Sequence, residues 1–180
     1  DHAMKSGIGC ARLEIGGGVI VSAIVAVNAF GDIINPTNGE IIAGARRRLP
    51  EKSERHLGGD RENPFINTLD AMKTLIGRTA MGFARRENTV IGVVATNARL
   101  NKEQINKVAQ MAQDGLARTV RPAHTMLDGD TIFALSTGNK KADVNIVGSF
   151  AAEAFSQAIV RAVLTAQPLG GLPSASSLRG

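Results

Sequence analysis

Thr89 follows Asn88 and opens an apolar, β-branched run, Val90-Ile91-Gly92-Val93-Val94, which reads as a buried strand. Further along, Asp128-Gly129-Asp130 stands at the mouth of a second such run, Thr131 to Ser136. A hydroxyl at one strand end and a carboxylate pair at another is the layout of a self-activating amide hydrolase. A threonine hydroxyl is a poor nucleophile until a base takes its proton. One solution puts the threonine at a chain terminus, where its own α-amine, ordinarily titrating at about 7.7–8.0, is that base. In a precursor the amine is still the amide of the preceding residue. The hydroxyl must then attack the preceding carbonyl, shift the acyl group from nitrogen to oxygen, and let water cut the ester. Asn88–Thr89 is the bond expected to break.

Asp128 and Asp130 share a face if the chain is extended there, and a carboxylate so placed can hold the ammonium and hydroxyl of Thr89. The plainer alternative is a turn, since Asp-Gly-Asp is ordinary turn chemistry. A metal site with His124 is a third reading, although magnesium or calcium asks for more oxygen ligands and zinc for more His or Cys. Asn28 closes an earlier apolar run and precedes Ala29-Phe30-Gly31. Its amide could donate to a developing oxyanion, or simply end a strand at a turn. His124, after Pro122, reads as a structural hydrogen-bonder rather than a base.

The elements that must position these groups follow from periodicity. Ala11 to Ile15 and Val19 to Val27 flank Gly16-Gly17-Gly18 and read as a hairpin whose turn needs positive φ. A phosphate-cradling loop would lack the expected Lys-Ser/Thr and a following helix. Residues 35 to 67 carry Pro36, Pro50, Pro64 and little periodicity, so a surface excursion is expected. A short helix is expected over Thr68 to Met81. Asn101 with Gln104 forms a capping-box pattern before Ile105, Val108, Ala109, Ala112 and Leu116 at helical spacing. Asp143 to Ala166 reads as a long, alanine-rich helix packed closely on a neighbour, and the tail 168–180 as mobile. Together these make a mixed sheet covered by helices.

The chain has 180 residues and 43% hydrophobic residues, enough for about one domain with a sizeable core. Its net charge of +5 gathers in Arg46, Arg47, Arg48, Lys52, Arg55 and Arg61. With no Trp or Tyr and six Phe, stacking platforms for bases are scarce, so nucleic acid is not expected as a partner. Cys10 is the one cysteine, which fits a reducing, cytoplasmic setting. There is no signal-peptide pattern and no apolar run judged long enough to span a membrane. Asp1-His2-Ala3-Met4 reads like the interior of a longer chain, so upstream sequence is expected.

These residues resemble the L-aminopeptidase/D-esterase, or β-aminopeptidase, family of self-cleaving hydrolases, which includes nylon-oligomer hydrolases. The matching stretches are VAVNAFGD, ENTVIGVVATNA, NKEQINKVAQMAQDGLART, RPAHTMLDGDTIFAL and ADVNIVGSFAAEAF, spanning most of residues 8 to 165. The resemblance implies Thr89 as nucleophile, Asn88 as the residue before the cut, Asp128 and Asp130 as the supporting pair, and Asn28 in the oxyanion hole. It implies an α/β fold of α+β type: an αββα sandwich like that of N-terminal-nucleophile hydrolases, with different connectivity. It also implies homo-oligomers, tetrameric or larger, and a longer precursor whose upstream segment supplies strands and part of the substrate pocket. Some members use a lysine near the position of Cys10; none aligns cleanly, and none is carried over. The expectation is an autoprocessing amide hydrolase acting on peptides or small amides with a free amino end, needing no metal or organic cofactor. The alternative is a non-catalytic homologue that keeps the fold as a structural or binding module.

Overall fold

Gly16, Gly17 and Gly18 all take positive φ, and the chain reverses through them between β1 (Ile8–Glu14) and β2 (Ile20–Asn28). The computed structural model describes residues 3–46, 64–74 and 88–178. β2 pairs antiparallel with β5 (Thr89–Ala98), which pairs parallel with β7 (Thr131–Lys140), giving a four-stranded sheet in the order β1-β2-β5-β7. The parallel pair requires a crossover. That crossover is α2 (Lys102–Thr119), followed by the two-residue strand β6 (Val120–Arg121). β6 joins β3 (Asp32–Ile34) and β4 (Ile41–Ala43) in a second, three-stranded sheet ordered β4-β3-β6.

Alternation along β2 and β5 puts Val21, Val25, Val90 and Val94 on one face, fully buried. α2 and α3 (Val144–Leu164) cover that face. Burial of each such side chain contributes about 1.5–3 kcal/mol. The capping box at Asn101 and Gln104 forms in both directions, at 2.8 and 3.0 Å. The alanines of α3 allow backbone-close packing. A Cβ on Gly115 would come within 2.1 Å of the Ala152 carbonyl oxygen, and one on Gly9 within 2.1 Å of that of Ala158.

Two expectations need correction. β4 and the buried Phe65 lie inside the stretch read as a surface excursion, so its described parts are tied into the core; 47–63 lie outside the described residues, and with them most of the basic cluster. The helix expected over Thr68 to Met81 is α1 (Thr68–Lys73), and 75–81 lie outside the described residues. Part of the tail from Pro168 packs on the rest of the fold. Pro173 O accepts from Lys5 N at 2.7 Å, Ser174 and Ala175 are buried, and α4 (Ala175–Leu178) follows. In addition, α3 is long and apolar enough to cross a membrane by length and composition, contrary to the sequence reading. Its apolar window is 61% buried in the protein, with Phe155 and Ile159 at the centre of the core, so it serves as the core helix.

The opposite face of the four-stranded sheet carries Ile24, Ile91, Phe133 and Leu135, each about half exposed. Thr89 and Asn28 fall on this same face by alternation with Ile91 and Ala26.

Candidate active site

Three strands place the residues singled out from the sequence at one end of the sheet. Asn28, the last residue of β2, is the register partner of Thr89, the first of β5. On the other side Asn88 bridges to Asp128, and the same register runs on through Ile91 opposite Thr131 to Thr96 opposite Ser136. The separation between the threonine and the Asp-Gly-Asp motif is therefore the register of a parallel strand pair. Asn28, Asn88, Thr89, Asp128 and Asp130 are all brought together.

The hydroxyl of Thr89 donates to the carbonyl oxygen of Asn88 at 2.7 Å. That oxygen also accepts from the Gly129 backbone N–H at 2.9 Å. The Asn88 carbonyl oxygen thus accepts from one main-chain donor and from the Thr89 hydroxyl. Gly129 is glycine for a steric reason: a Cβ there would lie 2.9 Å from the Thr89 hydroxyl oxygen.

The two carboxylates are differently engaged. The side chain of Asp130 is only 3% exposed; Oδ1 accepts from Val90 N–H at 2.9 Å and Oδ2 lies 3.4 Å from His124 Nδ1. Asp128 Oδ2 accepts from Thr125 N–H at 3.0 Å and from the Thr125 hydroxyl at 2.7 Å, which closes a turn. Its other oxygen, Oδ1, is buried and has no hydrogen-bond partner among the described residues. The turn reading is thus right for one oxygen of Asp128, while the other is left for a donor. A buried carboxylate oxygen without a donor is costly, which marks it as a place where a cationic or hydroxyl group is wanted. Among the described residues no three of His, Cys, Asp and Glu gather as metal ligands do.

A cavity of about 260 Å³ opens beside this strand end, lined by Asn28, Asn88, Phe30, Gly44 and Lys5 among others. Thr89 is not among its lining residues; the cavity reaches the Asn88–Thr89 bond through Asn88. Lys5 was not singled out from the sequence. Some family members use a lysine near the position of Cys10, but none aligns cleanly in the sequence. Asp32 was also missed. It is 2% exposed and accepts from Thr68 N–H at 2.7 Å and from the Thr68 hydroxyl at 2.8 Å. Burial pushes its carboxyl above the usual range, against the hydrogen bonds from Thr68 and Ala45 and the charge of Arg121, which pull it down. It ties α1 and the cavity wall at Gly44 and Ala45 to the strand that follows Asn28.

Residues 1–176 match the model of peptidase family S58. The chain is 33% identical over 192 residues to an uncharacterized aminopeptidase of Mycobacterium tuberculosis, covering 96% of this chain and 52% of that protein. It is 28% identical over 137 residues to a 6-aminohexanoate-oligomer endohydrolase of a Kocuria species, covering 76% and 35% respectively. Among solved structures it is similar to the L-aminopeptidase D-Ala-esterase/amidase of Ochrobactrum anthropi, a variant among the Ntn hydrolase folds. The TM-score is 0.60 at 18% identity, over 99% of this chain and 48% of that one, a likeness of fold. The chain spans about half the length of the curated relatives it matches.

Proposed function

The chain belongs to peptidase family S58, and on that footing we propose that it is the catalytic portion of an autoprocessing amide hydrolase that uses Thr89 as an N-terminal nucleophile. The observation that carries this reading is the Thr89 hydroxyl hydrogen-bonded at 2.7 Å to the carbonyl of the peptide bond it would cut, with the Gly129 N–H on the same oxygen at 2.9 Å.

In the first step Thr89 Oγ1 bonds to the Asn88 carbonyl carbon. The negative charge that develops on the Asn88 oxygen is met by the Gly129 N–H. The carbon–nitrogen bond then breaks, and the hydroxyl proton ends on the Thr89 nitrogen. Water hydrolyses the resulting ester, leaving an Asn88 carboxylate and a free Thr89 amine and hydroxyl. The new ammonium carries donors that the amide lacked. Asp128, in register beside Asn88, has the buried, unpartnered Oδ1 suited to receive one of them.

In turnover the amine takes the hydroxyl proton, Oγ1 attacks the substrate carbonyl, and the amine returns the proton to the leaving nitrogen. Water releases the acyl group by the same route. Asn28, opposite Thr89 in register and lining the cavity, is placed to donate to the substrate oxyanion. Lys5, on the same cavity wall, is a cation beside the acyl site. The substrates we propose are peptides or small amides with a free amino end, the class implied by the resemblance. The apolar face that carries Thr89, exposed among the described residues, fits the second sheet layer of the αββα sandwich that the resemblance implies.

The test is intact mass and N-terminal sequencing of the full-length protein after purification and incubation. A fragment beginning at Thr89 is expected. A different new end, or none in folded protein after long incubation, removes Thr89 as nucleophile.

A further inference from the structure

His124 has φ of +57° and is the one non-glycine residue with positive φ among the described residues. For a bulky L-residue this conformation costs on the order of 1 kcal/mol or more, and it persists only where the surroundings hold it. Glycine or asparagine would take the same conformation more cheaply. A histidine that carries this strain is explained by what its ring does. The ring is 42% exposed, yet its Nδ1 lies 3.4 Å from Asp130 Oδ2, an oxygen of a carboxylate whose side chain is 3% exposed. The other oxygen of that carboxylate takes the N–H of Val90, the residue that follows the nucleophile. The chain of contacts runs from a strained backbone, through an imidazole and a buried carboxylate, to the first turn of chain after Thr89.

We propose that His124 is a positioning residue: it holds the Asp130 carboxylate so that the mouth of β5, and with it the Thr89 hydroxyl and amine, is fixed for self-cleavage and turnover. The inference rests on Thr89 being the nucleophile. The Val90 N–H engages only one of the two Asp130 oxygens. With Val90 on one oxygen and the imidazole on the other, both oxygens have an address. The arrangement has the logic of a catalytic Asp-His pair run in reverse, with the ring orienting the acid. With Nδ1 3.4 Å from Asp130 Oδ2, the ring acts through the carboxylate and need not touch substrate.

The experiment uses the full-length protein and reads the rate of opening at Asn88–Thr89 by intact mass, with a thermal melt on each variant. His124→Gly removes the ring and relieves the backbone. His124→Asn keeps tolerance of the backbone conformation and a side-chain N–H donor. We expect His124→Gly to melt no lower than the parent and to open 10- to 100-fold more slowly, His124→Asn to recover most of that rate, and added imidazole to speed His124→Gly. In an Asp130→Asn background, His124→Gly should cost nothing further, because its effect passes through the carboxylate. Parental opening rates in folded His124→Gly, or losses that multiply in the double variant, overturn the positioning role while leaving Thr89 in place. A parent that never opens at Asn88–Thr89 overturns this inference together with the reading beneath it. If His124→Gly does not fold, His124→Ser, which also lacks the ring, decides the matter with and without Asp130→Asn by the same non-additivity.

Discussion

Gly129→Ala tests the geometry of the cut more sharply than removal of the nucleophile does. The position has no positive-φ requirement, so alanine fits the backbone without strain. Its Cβ would lie 2.9 Å from the Thr89 hydroxyl oxygen, but 3.8 Å from Asn88 O and 3.9 Å from Thr89 Cβ. The conflict is therefore with one rotatable atom, and χ1 of Thr89 can relieve it. A jump to the next staggered well moves the hydroxyl by roughly 2 Å. Two consequences follow with different magnitudes. Stability loses one half-buried hydrogen bond, about 0.5–1.5 kcal/mol, which lowers the melting temperature by about 1–6 °C in a chain of this size. Self-cleavage loses its near-attack geometry, for which a 1 Å misplacement already costs about 10²-fold. The Gly129 N–H that receives the oxyanion is unchanged, so the loss reports the hydroxyl alone. The assay is a time course of intact mass at fixed temperature, with circular dichroism on the same samples. Serine at 89 lacks the branching methyl and returns more readily to the useful rotamer, so Thr89→Ser should recover part of the loss in the Gly129→Ala background. Parental cleavage by folded Gly129→Ala would refute the placement of the hydroxyl.

Other substitutions separate the remaining roles. Thr89→Ala should abolish cleavage and turnover with little change in melting, and Thr89→Ser should retain some of both; activity in the alanine variant would mean another nucleophile. Asp128→Asn keeps the turn with Thr125 but removes the charge from the buried free oxygen, and a fall of about 10²–10⁴ in turnover is expected, with no effect of chelator on the parent. Normal turnover in Asp128→Asn reduces that residue to a turn former, and loss of activity with chelator replaces the reading by a metal site. Asn28→Ala should cost about 10²–10³ in turnover as an oxyanion donor is lost, measured with a chromogenic amide. Asp32 carries the pH prediction. Its carboxyl is raised by burial, so it binds a proton more readily folded than unfolded. Its contribution is greatest below the ordinary carboxylate value of about 3.9 and is lost as pH rises through the raised value. The melting-temperature advantage of the parent over Asp32→Asn should therefore shrink as pH rises from that range toward neutrality, and a gap independent of pH would show that Asp32 does not titrate differently on folding.

Much of the site was legible because its residues announce themselves by type at strand boundaries. The apolar, β-branched run from Val90 to Val94 marks a strand, the apolar run after Asp130 marks another, and the Asn101–Gln104 box marks the helix between them. Periodicity could not say that β5 and β7 are parallel neighbours, so the meaning of the spacing between Thr89 and Asp128 stayed hidden until the register was seen. β4 was invisible because Ile41, Ile42 and Ala43 are too few to show a period of two. Lys5 and Asp32 were invisible for a different cause. Their roles come from contacts with Pro173, Thr68 and the cavity, partners far away in sequence.

The topology also explains why the chemistry sits where it does. In open sheets with parallel strands, ligands ordinarily bind beyond the carboxyl ends of the strands. A nucleophile that uses its own α-amine reverses this requirement, because the amine exists only at the amino end of a strand after the chain is cut just ahead of it. The site must then be assembled at the entry of β5. A parallel neighbour delivers its own entry to that end, and β7 brings Asp128, Gly129 and Asp130 there. An antiparallel neighbour delivers its exit, and β2 brings Asn28. One strand of each sense beside β5 is thus what lets the residues of the proposed site meet. A change of register at either pairing would carry one group away while leaving the sheet intact.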